Sequence, residues 1–273
     1  MLTQTIPPQD YDKVREAQKK MWGCGKYARI ASKQVIVAEQ LCESVDLHGG
    51  RTVLDVATGH GNTALAAGRR DCIVTAIDTV PSLMDIGRER AKAERLQIDF
   101  HEGDAEHIPY PDESFDYVLS SFGVQFTPDQ QKVAAELLRV CRHGGKVGLV
   151  NWTSTGFMEE FNEVLSTYVH LPAVPSPYLW GEKGALVDFF GNGVTKLKIN
   201  PRTFIYRFKS LESWHDCFRS TYGPFLLAFE SLHHDKRELL ATELTEVVRR
   251  YNRSGDDTLI LPLEYVEVVA VRK

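Results

Sequence analysis

One stretch of the chain carries two carboxylates and two glycines at spacings that suit nucleotide chemistry. Gly59 and Gly61 are followed by Ala64, which matches the G-x-G-x-x-G/A pattern, in which the backbone turns sharply and approaches a ligand closely. Asp78 lies nineteen residues after Gly59, where a carboxylate can accept hydrogen bonds from ribose hydroxyls. These features predict a nucleotide-like ligand, and on their own they admit a dinucleotide such as NAD.

Asp55 favours one kind of ligand over another. It stands at the end of the first apolar run, where a carboxylate would repel a bound pyrophosphate. The same carboxylate would attract a ligand that carries an ammonium and a sulfonium group, and S-adenosylmethionine is such a ligand. The alternative is that Asp55 only accepts hydrogen bonds from N–H groups of its own turn.

The elements that must position these residues alternate between strand and helix. Apolar runs at 53–56, 72–77, 97–101, 115–121 and 146–152 are separated by helical segments or turns. Strands spaced in this way form a parallel, doubly wound sheet with right-handed crossovers. The sequence therefore predicts an α/β fold with a doubly wound, mostly parallel sheet and an inserted cap.

The whole chain, 1–273, is expected to form a single domain with four parts. Residues 1–48 are predicted to be an N-terminal helical lid, and residues 49–152 the cofactor-binding core. Residues 153–260 contain a proline-rich loop, two alternating runs typical of short antiparallel strands, and further helical segments. They are expected to supply substrate cap elements, and residues 261–273 the final edge strand.

Composition excludes several classes of function. The net charge is −5 and no long block of Lys or Arg occurs, so no nucleic-acid partner is expected. No apolar run approaches the ~18 residues that span a membrane, and the N-terminus does not resemble a signal peptide. The five cysteines are scattered without a C-x-x-C pair, which predicts neither disulfides nor a metal site and favours a cytoplasmic location.

Several motifs together resemble a known family. They are Asp55-x-Ala57-x-Gly59-x-Gly61, Asp78, Gly103-Asp-Ala105, Pro111-Asp-Glu-Ser-Phe-Asp116 and Gly144-Gly145. This set is similar to the class I S-adenosylmethionine-dependent methyltransferases, and among them to the ubiquinone/menaquinone-biosynthesis type and related small-molecule methyltransferases. The resemblance covers about residues 20–152, and it implies a Rossmann-like, seven-stranded sheet with an antiparallel edge strand. One departure is Ala57, which stands where the family commonly has glycine.

The resemblance implies roles in holding the cofactor. The turn at Ala57, Gly59 and Gly61 would pass close to the methionine and ribose parts of S-adenosylmethionine, with Asp55 near the amino end. Asp78 would accept hydrogen bonds from both ribose hydroxyls. The remaining implied contacts are Thr79 and Leu83 with the adenine or ribose, Asp104 and the backbone of Ala105 with the adenine, and the backbone of Ser121 with the cofactor.

The reaction implied is an in-line displacement at a sulfonium. The protein mainly holds the acceptor atom about 3 Å from the methyl group, and a general base helps when the acceptor is a hydroxyl or an acidic carbon. The sequence does not identify that base; His60, in the glycine turn, is one candidate, with an ordinary surface or core histidine as the alternative. His107, His170 and His215 are candidates by residue type only.

Aromatic residues point to the kind of acceptor. Their number predicts an apolar or aromatic small molecule methylated at oxygen, carbon or nitrogen. For Trp22 and Tyr27, the alternative is that they only pack the N-terminal helices onto the core. The residues expected at the substrate pocket or lid are Trp22, Tyr27, Phe126, Trp152, Trp180 and Tyr222.

Two other functions stay open on the sequence. One is a protein that keeps the cofactor fold without methyl transfer, for binding or for cyclisation, because a fold does not fix a function. The other is an NAD-dependent oxidoreductase, which the spacing from Gly59 to Asp78 permits and Asp55 disfavours.

Overall fold

The structure is a computed structural model that describes residues 11–24, 27–169 and 174–273. Its strands are β1 (Thr52–Val56), β2 (Ile73–Asp78), β3 (Ile98–Glu102), β4 (Phe115–Ser121), β5 (Cys141–Trp152), β6 (Val194–Phe208) and β7 (Leu259–Arg272). They form one seven-stranded sheet in the order β3-β2-β1-β4-β5-β7-β6. Strands β1 to β5 run parallel to one another, and β7 runs antiparallel between β5 and β6.

This topology confirms the predicted α/β fold with a mostly parallel seven-stranded sheet and an antiparallel strand towards one side. Two details differ from the prediction. Strand β7 lies one place inside the edge, because β6 pairs with it from Val194 to Phe208. In addition, β6 is one 15-residue strand rather than two short ones. Pro201 does not interrupt it, because an edge strand tolerates a residue without an N–H group.

Helices cover both faces of the sheet. The α-helices in the described ranges are α1 (Tyr11–Cys24), α2 (Ala28–Ala31), α3 (Val35–Val45), α4 (Asn62–Gly68), α5 (Pro81–Ala93), α6 (Gln130–Val140), α7 (Phe157–Tyr168), α8 (Lys183–Phe190), α9 (Leu211–Thr221), α10 (Gly223–Ser231) and α11 (His234–Tyr251). Short 3-10 helices occur at Ser32–Gln34, Val124–Phe126, Pro177–Gly181 and Gly191–Gly193.

The hydrophobic core has two parts, one on each face of the sheet. Val53 and Leu54 of β1 are both 0% exposed, yet they belong to different apolar clusters, because successive strand residues point to opposite faces. The first cluster contains residues of α3, α4 and α5 and many aromatic side chains of α7, α9 and α10. The second contains residues of α6 and α8. Burial on both faces explains the continuous apolar runs of the central strands.

Helix α1 is held tightly against α10. A Cβ atom at Gly223, the first residue of α10, would lie 2.3 Å from the carbonyl oxygen of Met21. Such an approach excludes any larger residue unless α1 moves. The close contact therefore fixes α1 over the carboxyl ends of the parallel strands. Within the described ranges, no helix combines the length and the apolar character needed to cross a bilayer.

Candidate functional site

A cleft of about 530 Å³ lies at the carboxyl ends of β1, β2 and β4. In a doubly wound sheet this is the point where the strand order reverses, and ligands bind there. The volume is within the range of about 300–1,000 Å³ typical of small-molecule sites. The predicted site residues that line this cleft are Trp22, Tyr27, Ala57, Gly59, His60, Asp78, Thr79, Leu83, Asp104, Ala105, Ser121 and Phe126.

The turn after β1 has three residues in the left-handed region. Their φ angles are 54° at Ala57, 54° at Gly59 and 77° at Gly61. For Ala57, a residue with a Cβ atom, this conformation costs roughly 1–2 kcal/mol, and such strain is common beside ligands. Gly61 does not line the cleft, and its contact with the cofactor stays a prediction. It precedes α4, and a Cβ there would lie 3.3 Å from the ring of Phe100.

Asp55 holds the turn in place through hydrogen bonds. Its Oδ2 accepts hydrogen bonds from Thr58 Oγ1 at 2.6 Å and from the backbone N of Ala64 at 2.9 Å. The residue is 1% exposed, and burial raises its pKa to about 7, although the two hydrogen bonds oppose this shift. Asp55 is not among the residues that line the cleft. In the structure the Asp55 carboxylate therefore binds N–H and O–H groups beside it, as in the alternative, and its contact with the cofactor stays a prediction.

Asp78 both supports the turn and lines the cleft. Its Oδ2 accepts from the backbone N of Gly59 at 2.8 Å, and its Oδ1 accepts from that of Val80 at 2.9 Å. Burial raises the pKa of the Asp78 carboxyl, while these backbone hydrogen bonds oppose the rise. Because a carboxylate can accept about four hydrogen bonds, capacity remains for donors of a ligand.

The far side of the cleft carries the other predicted polar contacts. Asp104 accepts from the backbone N of Glu106 through Oδ1 at 2.9 Å, and its Oδ2 lies 3.8 Å from Arg15 Nε. The Ser121 hydroxyl is hydrogen bonded to Thr63 Oγ1 at 2.8 Å. Asp104 is thus partly engaged within the protein, and Ser121 is held where β4 ends.

Helix α1 forms a roof that is joined to the strand ends by ion pairs. Arg15 contacts the carboxylate of Glu106, which is 1% exposed, and Lys19 Nζ lies 2.6 Å from Glu102 Oε1. Both basic residues also line the cleft. Burial raises the pKa of Glu106, whereas Arg15 and the N–H of Asp129 favour its charged form. The roof therefore depends on charge pairing as well as on the packing of α1 against α10.

Aromatic side chains make up another part of the cleft wall. The ring of Trp22 lies 5.7 Å from that of Tyr27 and 5.1 Å from that of Phe126, measured between centroids. Behind this wall is a small space of about 10 Å³, which we call the inner cavity. The predicted residues Trp152 and Tyr222 line the inner cavity rather than the cleft. Its lining residues are Trp22, Tyr27, Ile30, Gln34, Phe126, Trp152, Met158, Tyr206, Phe218 and Tyr222.

The prediction that Trp180 lines the substrate pocket is wrong. Trp180 is 0% exposed and belongs to the cluster on the other face of the sheet, with its ring 4.7 Å from that of Phe189. The proline-rich loop ends in a 3-10 helix that packs on β5, and a Cβ at Gly181 would lie 2.3 Å from the carbonyl oxygen of Trp152. This close packing turns the Trp180 side chain into the core.

Of the four candidate histidines, His60 lines the cleft. Its ring is stacked 5.5 Å from that of Tyr27, and burial lowers its pKa to about 4, so the imidazole is neutral at pH 7. His107 and His215 do not line the cleft, and His170 lies outside the described residues. A neutral imidazole can accept a hydrogen bond, but a pKa this low makes it a poor general base.

Comparisons with known proteins identify the family. Residues 54–149 match the family model described as "Methyltransferase domain". An uncharacterized protein of Mycobacterium tuberculosis is 32% identical over 283 residues, which cover 100% of both chains. A demethylmenaquinone methyltransferase of Deinococcus radiodurans is 42% identical over 107 residues, 38% of this chain and 44% of that relative. The chain belongs to the class I S-adenosylmethionine-dependent methyltransferases. Its cofactor is S-adenosylmethionine, which favours methyl transfer over the NAD-dependent oxidoreductase alternative.

The fold of this methyltransferase is shared with solved structures. The YcgJ protein from Bacillus subtilis superposes with a TM-score of 0.62 at 17% identity, over 86% of this chain and 97% of that one. Similarity at this level of identity supports the fold alone. It agrees with the observed sheet order and with a cleft at the reversal of the strands.

The methyltransferase's cleft fits its cofactor in two respects. A Cβ at Gly59 would meet no atom within 4 Å, so the backbone there faces open space that a ligand can approach. The buried carboxylate of Asp78 stands beside it with acceptor capacity that suits vicinal hydroxyls. No group of His, Cys, Asp or Glu within the described part of the methyltransferase could hold a metal ion.

Sequence reasoning missed three residues of the methyltransferase site. Arg15 and Glu106 join the roof to the strand ends, and Gln34 lines both the cleft and the inner cavity. The contact of Arg15 with Glu106 joins positions 91 residues apart, and the contact of Gln34 with Tyr206 joins positions 172 residues apart. No local pattern carries such information. The sequence signal that bears on the roof is that Arg15 and Lys19 are basic and four positions apart, which places both on one side of α1.

Proposed function

We propose that this enzyme transfers the methyl group of S-adenosylmethionine to an apolar or aromatic small molecule by in-line displacement. The observation that carries the proposal is that one cleft joins two kinds of surface. Its lining contains the turn and the carboxylate of Asp78, and also the aromatic side chains of Trp22, Tyr27 and Phe126. A small apolar acceptor held against these rings would share the cavity with the cofactor.

The polar part of the cleft is proposed to hold the cofactor. Asp78 would accept hydrogen bonds from the ribose hydroxyls, and the turn at Ala57 and Gly59 would approach the methionine and ribose. Both the position of Asp78 in the lining and the open space at Gly59 support these roles. The remaining proposed contacts are those of Thr79, Leu83, Asp104, Ala105 and Ser121, all of which line the cleft.

The chain's own contribution to the reaction is orientation and the exclusion of water. When bound, the cofactor supplies an already activated methyl group on a sulfonium. The aromatic wall would hold the acceptor in line with it, and α1, which is part of the lid proposed for residues 1–48, would cover the cleft above both. Neutral His60 would accept a hydrogen bond from a group of the acceptor or cofactor rather than remove a proton.

One relative supports this class of substrate. The Deinococcus radiodurans protein carries a name that gives demethylmenaquinone as the molecule it methylates. Its similarity covers 38% of this chain. The proposal therefore takes from it a small-molecule acceptor and not that particular compound.

Product analysis tests the proposal. The protein is incubated with S-adenosylmethionine and a panel of neutral aromatic compounds, amines and carboxylates, and methylated products are identified by mass spectrometry. We expect methylation of neutral aromatic members of the panel together with release of S-adenosylhomocysteine. Conversion of a compound without consumption of S-adenosylmethionine would instead indicate a non-methylating enzyme such as a cyclase.

A pair of variants locates the acceptor. Phe126→Ala removes a ring from the cleft wall, and we expect the KM of an aromatic acceptor to rise about tenfold, since a buried phenylalanine contributes roughly 1.5–3 kcal/mol. Phe189→Ala is the matched control, because Phe189 is also half-buried but packs on Trp180 on the other face. Equal KM values in both variants would place the acceptor elsewhere.

A further inference from the structure

The inner cavity differs from the cleft in its chemistry. The cleft lining includes several charged residues, among them Arg15, Lys19 and Asp104. None of the ten residues that line the inner cavity, all within the described part of the chain, is acidic or basic, and seven of them are aromatic. Because burying an unpaired charge is costly, this end of the site disfavours a charged group on the acceptor.

Four residues belong to both the cleft and the inner cavity: Trp22, Tyr27, Gln34 and Phe126. Three of them are aromatic, and Gln34 alone carries an amide. The inner cavity has room for about one water molecule, so an acceptor's ring would lie in the cleft against the shared wall. A polar substituent on that ring could then reach Gln34.

Gln34 has hydrogen-bonding capacity left for such a substituent. The residue is 6% exposed, and its Nε2 donates to the Tyr206 hydroxyl at 2.7 Å. Its Oε1 meets only the Tyr27 hydroxyl within the described ranges, at a long 3.5 Å. The Tyr206 hydroxyl accepts from Gln34 and donates no hydrogen bond among the described residues. Burial raises the pKa of Tyr206 well above its usual value, so it remains a donor.

We propose that the acceptor is a neutral aromatic molecule with a ring hydroxyl, and that Gln34 and Tyr206 bind this hydroxyl at the inner end of the cleft. The amide oxygen of Gln34 accepts the ligand's proton, and the Tyr206 hydroxyl donates to the ligand's oxygen. A hydroxyl both donates and accepts, so it satisfies both groups at once. This inference deepens the proposed function and rests on it.

The test measures binding of four naphthalene derivatives to the full chain saturated with S-adenosylhomocysteine. The probes are 2-naphthol, 2-methylnaphthalene, 2-naphthoate and 2-naphthylmethylamine, which share one ring system and differ in hydrogen bonding and charge. We expect 2-naphthol to bind most tightly, and the anionic and cationic probes to bind at least about tenfold more weakly. Equal affinities for all four, or no binding by any, would overturn the inference.

Variants assign the hydroxyl to its partners. Gln34→Leu removes the amide at nearly constant size, and we expect 2-naphthol affinity to fall about tenfold while 2-methylnaphthalene affinity stays within about twofold. Tyr206→Phe, the second variant, should act in the same direction. Gln130→Leu is the matched control: Gln130 is also buried, at 3% exposure, but donates to the backbone of Ser176 and lines neither cavity.

Binding of S-adenosylhomocysteine to each variant confirms that it is folded, and methylation of 2-naphthol is followed on the same samples. Specific binding of 2-naphthol without methyl transfer contradicts the proposed function and leaves the hydroxyl site intact. Methyl transfer with unchanged 2-naphthol affinity in both Gln34→Leu and Tyr206→Phe contradicts the hydroxyl site and leaves the proposed function intact. The two failures are therefore distinguishable.

Discussion

The two parts of the cleft are built in different ways. The part proposed to hold the cofactor consists of a turn after β1 and the end of β2. There Asp55 and Asp78 accept hydrogen bonds from N–H and O–H groups of their own and the neighbouring segment. The part proposed to hold the acceptor, together with the inner cavity behind it, consists of side chains such as Trp22, Gln34 and Tyr206, which come from distant elements of the chain. Local hydrogen bonds shape the first part, and long-range packing shapes the second.

Because of this difference, the acceptor site can change while the turn that faces the cofactor is kept. The turn and its carboxylates can stay fixed, because their hydrogen bonds do not depend on the aromatic wall. The wall can change by substitutions on α1, β6 or α9 without altering the turn. Changes in the two parts should therefore have separable effects on cofactor affinity and on acceptor affinity.

The largest expected effect comes from Asp78→Ala. This change removes the acceptor of the Gly59 and Val80 N–H groups and the proposed partner of the ribose, so S-adenosylhomocysteine affinity should fall about 100-fold. Calorimetric titration measures it. Asp85→Ala is the control, since Asp85 lies on the adjacent helix with its side chain 70% exposed. Similar affinities of the two variants would contradict the role of Asp78.

A smaller effect is expected where the two parts meet. A Cβ at Gly123 would lie 2.5 Å from the Cβ of Ala57, so Gly123→Ala must push the turn away from the loop that carries Phe126. Overpacking of this kind costs roughly 1–3 kcal/mol of unfolding free energy. Urea denaturation measures the loss. Gly184→Ala, whose Cβ would meet nothing within 4 Å, should be neutral or slightly stabilising, and an equal loss in both would contradict the contact.

The smallest effect concerns the pH dependence of stability. Asp55 has a pKa of about 7 in the folded protein, above the ~3.9 of an unfolded chain, so the folded state keeps this proton longer. The stabilisation that protonated Asp55 gives the folded state is fully present below about pH 4. It is lost as the pH rises to about 7, by up to about 1.4 kcal/mol of unfolding free energy per pH unit.

Asp55→Asn removes this titration while it keeps an oxygen that can accept from Thr58 and Ala64. Relative to wild type, the variant should therefore gain unfolding free energy between pH 5 and pH 7.5. Urea denaturation at both pH values measures the change. Asp112→Asn, whose side chain is 72% exposed, is the control and should show no such gain. A constant difference between Asp55→Asn and wild type would show that Asp55 is already charged in the folded protein.

The contrast between local hydrogen bonds and long-range packing also explains which features could be predicted from the sequence. The order of strands and helices and the position of Asp78 depend on short-range patterns, and the structure agrees with them. The contacts of Asp55 and Gly61 with the cofactor stay predictions. Both residues shape the turn that faces the ligand without lining the cleft themselves.

The acceptor part could be predicted only as a supply of aromatic residues. Trp180 and Tyr222 both stand beside glycine or proline, yet Trp180 packs on the opposite face and Tyr222 lines the inner cavity. Which side of the sheet a cap residue faces depends on how distant elements pack. The same holds for the contact of Gln34 with Tyr206, which joins residues 172 positions apart.

The most direct test of the separation between the two parts is a pair of measurements on Phe126→Ala. Its affinity for S-adenosylhomocysteine is measured by calorimetry, and its KM for an aromatic acceptor by methyl transfer. We predict that cofactor affinity stays within about twofold of wild type while the KM rises about tenfold. A loss of cofactor affinity as large as the rise in KM would contradict the account, because it would show that the aromatic wall also holds the cofactor.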